Sequence, residues 1–292
     1  MTDALSNPDE SADDNPCPAA FDVPEQPAWA PEDIDPRIPS VARVYDYVVG
    51  GVHNFAVDRD IADRAASMWP EVPLILRENR AVLRRFVRFL AGEGIRQFLD
   101  IGSGIPTAGN VHEVLAVPAP DAKVVYVDID PVAVMHSQAI LDGNPNALAV
   151  HGDFTEIDAV LSDPAVNRMI DFTQPVAVLL AALLHFILDD ADPAGSLARI
   201  RARMAPGSYL ALTHFSDEGP PDKVAQFVDM SRETPNPLTL RSKQQIAAFL
   251  DGLQAVTPGL VYLPLWRPDS PDDVDENPER FSSFAGIGYR GR

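Results

Sequence analysis

From residue 97 onward, short runs rich in Val, Ile, Leu and Phe alternate with longer stretches of helical periodicity. The pattern predicts strands over 97–101, 123–128, 147–151, 175–182, 208–213, 260–265 and 283–289. Helices are predicted between them over 107–116, 131–141, 192–204, 221–231 and 242–251. The run at 175–182 is apolar almost throughout, which suits a strand buried on both faces of a parallel sheet. Such an alternation folds as an open α/β sheet with helices on both sides. Ligands of these sheets sit beyond the carboxyl ends of the strands, where the strand order reverses.

The strand ends therefore carry the functional reading. After 97–101 comes Gly102-Ser103-Gly104, where two glycines let the backbone turn sharply and approach a ligand; packing alone also produces such turns. A dinucleotide site would want a third glycine where Thr107 stands, and would press a pyrophosphate against this loop. Asp100, just before the loop, would repel a pyrophosphate but suit a cation. S-adenosylmethionine has a sulfonium, an ammonium and no phosphate, so it fits better than NAD. The second strand ends in Asp128, 24 residues after Gly104. An acid about 20 residues beyond such a loop accepts the ribose hydroxyls of a nucleoside. Ile129 stands beside it, and Asp130, before Pro131, is expected mainly to cap the next helix. At the third strand end, Asp153 can accept from an adenine amino group and Phe154 can pack on the ring, or the pair simply forms a turn.

Before residue 97 the periodicity predicts helices over 40–49, 57–68 and 72–92, with Ser40 as a cap and Gly50-Gly51 as a stop. On the last of them Arg77, Arg80, Arg84 and Arg88 form a stripe. It reads as a solvated face, as an anion site for a carboxylate, or as a dock for the acidic tail. That tail, residues 1–37, is rich in acids and prolines and is expected to be disordered. A second acidic stretch, 269–279, reads as a solvated loop, and the two hold most of the net charge of -20. Charge of this sign argues against nucleic-acid and anionic-membrane partners, although its confinement to two segments leaves a methylated RNA open. There is one cysteine, Cys17, so no internal disulfide is expected. With no basic, apolar leader and no apolar run long enough to span a bilayer, a cytoplasmic protein is expected.

Several stretches together resemble a known family: 42–47 (Ala-Arg-Val-Tyr-Asp-Tyr), 50–55 (Gly-Gly-Val-His-Asn-Phe), Asp58-Arg59, Glu78-Asn79-Arg80, 98–102, 106–112 (Pro-Thr-Ala-Gly-Asn-Val-His) and 125–131. The chain resembles class I S-adenosylmethionine-dependent methyltransferases, and more narrowly the actinobacterial S-adenosyl methyltransferase family, formerly a domain of unknown function. The resemblance implies an α/β, Rossmann-like sheet of seven strands, mostly parallel with an antiparallel last strand, over 97–292. Residues 38–96 would form a helical N-terminal cover. It also implies S-adenosylmethionine as cofactor, touched by Asp100, Gly102, Ser103, Gly104, Thr107, Asp128, Ile129, Asp153, Phe154 and Ala182. In the cover, Tyr47, Asn54 and Arg80 offer an aromatic surface, an amide and a guanidinium, and the last can fork onto a carboxylate.

Methyl transfer from an activated sulfonium needs alignment above all, and a base only where the acceptor must lose a proton. His185 and His214, beyond the predicted fourth and fifth strands, are candidate bases; as often, such histidines are structural. No histidine pair has metal-ligand spacing, so no metal is expected. Gly102-Ser103-Gly104 lacks the G-x-S-x-G of a hydrolase elbow. The sequence reading is an enzyme that methylates a small molecule. The alternative is a non-catalytic protein that binds S-adenosylmethionine or S-adenosylhomocysteine as a regulator. Oligomeric state is not legible.

Overall fold

A computed structural model of the chain describes residues 34–106 and 109–291, and in it the early periodicity becomes α1 (Val41–Val48), α2 (Ala56–Met68) and α3 (Val72–Gly92). α3 has the bounds its apolar spacing predicts. Pro73 occupies its first turn, where a missing N–H costs nothing, and Gly94 takes φ 86° just past its end. Ile75, Val82, Leu83, Phe86 and Leu90 are all buried. Ser40 does stand at the N-cap of α1, but its hydroxyl donates to Asp130 and accepts no N–H from the helix. The tail expected over 1–37 falls almost wholly outside the described residues, as does Cys17.

The strands are β1 (Gln97–Ile101), β2 (Lys123–Asp128), β3 (Ala147–His151), β4 (Ala177–Ala181), β5 (Tyr209–Phe215), β6 (Gln254–Ala255), β7 (Val261–Tyr262) and β8 (Ser283–Tyr289). They form one sheet in the order β3-β2-β1-β4-β5-β8-β6, with β7 also paired to β8. β1 to β5 pair in parallel, and β8 runs antiparallel to β5, β6 and β7. The sheet is thus mostly parallel with an antiparallel last strand, as expected, and has eight strands rather than seven because of the two-residue β6. The strand expected at 260–265 shortens to β7. Pro264 has no N–H to give the ladder, and residues 263–265 turn as a 3-10 helix.

The remaining helices are α4 (Val111–Leu115), α5 (Pro131–Ile140), α6 (Ile157–Ser162), α7 (Pro164–Met169), α8 (Pro193–Arg203), α9 (Pro221–Ser231) and α10 (Lys243–Ala248). α6 and α7, six residues each, are too short to show a period in the sequence. Asp163 caps α7 through the Ala165 and Val166 N–H groups, a local signal that periodicity overlooks. Successive strand residues alternate between two cores: Phe98, Val124 and Tyr126 face the side of α3, while Leu99, Val125 and Val127 face the opposite one. Among the described residues no helix is long and apolar enough to cross a membrane.

A buried charge network fastens α1 and α2 to the carboxyl end of β2. Arg43 donates to Asp58 at 2.9 Å, to Asp130 at 3.4 Å and to the Ile38 carbonyl at 2.5 Å. Asp58 also accepts from the N–H groups of Ser40 and Phe55, at 2.9 and 2.8 Å. All three charged side chains are buried. Removing one member of a buried ion pair strands the others in a medium that cannot solvate them. Arg43→Ala is therefore expected to destabilise the protein by about 3–5 kcal/mol, measured by urea unfolding. An unchanged midpoint would mean that the network does not hold α1 and α2 to the end of β2.

Candidate functional site

The strand order reverses between β1 and β4, and the loops after these two strands border the crevice that results. Gly102 and Gly104 take φ 71° and 67°, where a side chain is strained. At Gly102 a Cβ would also stand 2.7 Å from the Leu183 side chain of the opposite loop. The Gly102 and Ser103 N–H groups donate to the Val127 carbonyl at 2.8 and 3.2 Å, which ties the loop to the end of β2.

Asp128 then organises the turn. One of its oxygens accepts from the Gly104 N–H at 2.7 Å, the other from the Asp130 N–H at 2.8 Å. Burial pushes its pKa up to about 6, with the Asp130 charge adding to the rise and the N–H donors opposing it. Asp100 is buried on the same side, and burial pushes it up to about 7; the Arg80 guanidinium opposes the rise and the Asp128 charge adds to it. Asp130 caps α5 through the Val132 N–H at 2.7 Å and takes Arg43 besides. Asp153 accepts from the Thr155 N–H at 2.8 Å, so it does close a turn, and Phe154 after it is buried.

These groups border one cavity at the crevice. Asp100, the 102–104 loop, Asp128, Ile129, Asp153, Phe154, Ala182 and Arg80 all line it. Arg80 reaches it from α3, donating to the Ile105 carbonyl at 3.2 Å with its guanidinium over the Tyr45 ring at 5.2 Å. The arginine stripe is therefore split: Arg80 and Arg84 are half-buried, whereas Arg77 and Arg88 are exposed and Arg88 pairs with Asp269 of the acidic loop. Thr107 lies outside the described residues. Asn54 does not join the others: it is buried, and its amide donates to Asp46 at 3.0 Å and to the Gly51 carbonyl at 3.2 Å. It braces the loop after α1 instead of facing the crevice.

A second cavity adjoins the first and shares Ser40, Tyr45, Asn79, Ala182 and Phe186 with it. His185 and His214 are in its wall, and both are buried and bonded within the protein. His214 Nδ1 lies 2.7 Å from the Phe215 carbonyl and Nε2 lies 3.1 Å from Arg241, so the bonding assigns the proton to Nδ1 and turns the lone pair to a guanidinium. Burial lowers its pKa to about 3, and the Arg241 charge lowers it further against the opposing carbonyl bond. His185 accepts the Phe215 N–H on Nδ1 at 3.3 Å, and burial, then His214 and Arg241, hold its pKa well below the usual value. Both are therefore weaker bases than a free imidazole and neutral near pH 7.

Sequence reading passed over two groups here. Thr213 donates to Asn79 at 2.5 Å, Asn79 donates to the Tyr45 hydroxyl at 3.1 Å, and the Ala182 N–H donates to Thr213 at 2.8 Å. This chain spans the border of the two cavities, and its signal was a polar residue, Asn79, four positions after Ile75 on the apolar face of α3. Arg241 is the second: it is buried and donates to the Leu184 and Ile187 carbonyls and to Asp189, fixing the loop after β4. Among the described residues no group of three or more His, Cys, Asp or Glu is placed to hold a metal ion.

A mostly parallel sheet of this order, with acids at the tips of β1 and β2 and a glycine turn between them, defines a class I methyltransferase. The description of the S-adenosyl methyltransferase family matches residues 27–291, and the chain belongs to that family. It is 40% identical to a candidate methyltransferase from Thermobifida fusca YX, covering 91% of this chain and 100% of that one with a TM-score of 0.86. It is 34% identical to a DUF574 family protein from Streptomyces avermitilis MA-4680, covering 87% and 98% with a TM-score of 0.83. No curated protein matches it. The protein is an S-adenosylmethionine-dependent methyltransferase, and its cofactor is S-adenosylmethionine.

Two buried carboxylates with raised pKa values make the ligand-free protein sensitive to pH. Each stabilises the fold fully below the carboxylate's unfolded pKa of about 4, and that contribution is lost as pH rises through about 6 to 7. The melting temperature of the ligand-free protein is therefore expected to fall between about pH 5 and about pH 8, and to fall less in Asp100→Asn. A variant with the same slope as the unaltered chain would show that Asp100 does not titrate there.

Proposed function

We propose that the protein methylates a small-molecule acceptor, with the cofactor in the crevice at the ends of β1 and β2 and the acceptor in the adjoining cavity. The observation that carries this reading is the pair of buried carboxylates, Asp100 and Asp128, on either side of a glycine turn. A phosphate-bearing cofactor would meet like charge there, whereas S-adenosylmethionine offers cationic and hydroxyl groups to both acids. Asp100 suits the ammonium and Asp128 the ribose hydroxyls. Arg80, half-buried on α3, suits the carboxylate, with a fork of donors that matches it. Ile129, Asp153 and Phe154 at the far side suit the adenine.

When bound, the cofactor supplies a methyl group on a positively charged sulfur, which keeps both electrons of the bond that breaks. The protein's own part is to hold the acceptor's nucleophilic atom in line and to exclude water, the main sources of rate in a displacement of this kind. α1 contributes Val41 and Tyr45 to the walls of both cavities, which supports a role in keeping water out. The two wall histidines serve the acceptor as neutral polar surface, and a proton that has to leave goes to solvent or is lost before binding.

Asp128→Ala is expected to weaken S-adenosylmethionine by more than about tenfold in titration calorimetry, because two ribose hydroxyls lose their acceptor. Unchanged affinity would remove the ribose role. The ammonium needs an ionised Asp100, so affinity is expected to fall by up to about tenfold per pH unit as pH drops below about 7. Affinity that stays flat across this range would exclude a direct pairing.

A further inference from the structure

We infer that the cavity beside the cofactor crevice takes an uncharged, largely apolar small molecule as methyl acceptor, an inference that rests on the methyltransferase reading above. Among the described residues that line it, none is Asp, Glu, Lys or Arg. Its walls come mainly from aliphatic and aromatic side chains of α1, α2, α3 and α9, among them Val44, Ala65, Ile75 and Phe227. The polar residues in the wall are largely occupied with one another. Tyr45 donates to the Leu76 carbonyl and accepts from Asn79, and Asn79 accepts from Thr213. Ser231 donates to the Val228 carbonyl and accepts the Leu238 N–H, and Thr234 donates to the Ser231 carbonyl.

The two histidines, which alone in the wall can gain a positive charge, are held neutral by burial and by Arg241 behind them. A carboxylate or phosphate entering this cavity would give up its water and find no cation, and an ammonium would find no anion. The opposite holds in the crevice next door, which presents Asp100, Asp128 and Arg80. The border at Asn79, Ala182 and Phe186 thus separates a charged compartment from an uncharged one, and selection by charge follows from which side of it a molecule enters.

Titration calorimetry on the full chain saturated with S-adenosylhomocysteine tests this, using 2-naphthol, 2-naphthoate and 2-naphthylmethylammonium at neutral pH. The three share a ring system and differ in charge. 2-Naphthol is expected to bind at least about tenfold more tightly than either ion. Val44→Asp, which places a carboxylate in the wall, is expected to weaken 2-naphthol by at least about tenfold while S-adenosylhomocysteine binds as before. Equal or tighter binding of either ion, no binding of 2-naphthol, or binding of 2-naphthol that ignores Val44→Asp would overturn the inference. If the variant fails to bind S-adenosylhomocysteine, and so fails to fold, the charge series on the unaltered chain decides alone. Loss of S-adenosylhomocysteine binding by the unaltered chain would overturn the cofactor site itself, whereas its binding without 2-naphthol would overturn only the acceptor class.

Discussion

Asp130 accepts from the Val132 N–H at the start of α5, from the Ser40 hydroxyl and from the Arg43 guanidinium. One carboxylate thereby joins the tip of β2 to the helix that follows it and to the helices that precede the sheet. Its neighbour Asp128 takes the Asp130 N–H and the Gly104 N–H, so the glycine turn after β1 hangs from the same point. Three segments far apart in the chain meet at these two acids, and the crevice exists because they meet. Buried charges of this kind seldom add stability over an apolar packing of the same shape. What they contribute here is register, since a shifted α1 would leave Arg43 and Asp58 unpaired.

The local acids also pay against one another. The Asp128 charge raises the pKa of Asp100 and the Asp130 charge raises that of Asp128; among the described residues neither Asp100 nor Asp128 is in an ion pair, and Arg80 is the cation that opposes the rise at Asp100. Such unrelieved charge is typical of a site that a ligand completes. The adjoining cavity follows the other extreme, with most of its polar groups bonded within the protein and its histidines kept neutral. Two occupants of opposite character can then lie next to each other without exchanging places.

Most of the sheet was legible because parallel strands buried on both faces read as continuous apolar runs, and all five parallel strands lie where those runs stand. The strand tips were legible for the same reason: Asp100, Asp128 and Asp153 follow the apolar runs directly, so topology brings them to one edge. β6, α6 and α7 were not legible, since two to six residues carry too little period to detect. Long-range polar pairing was hidden as well. Asn54 looked available to a ligand because Asp46, which takes its amide, is set against it by a loop conformation that no spacing rule describes. The contact of His214 with Arg241 was hidden because Arg241 arrives from a segment 27 residues further on. Arg43 and Asp58 stand in the motifs that carry the family resemblance, but the bonds of Arg43 to Asp58 and to Asp130 need the folded chain.

Tyr45 and its helix form part of the wall on both sides of the border. A helix in that position cannot settle against one occupant without setting the shape offered to the other. Any such adjustment makes the two binding events cooperative, and thermodynamic linkage then requires that each raise or lower the affinity for the other by the same factor.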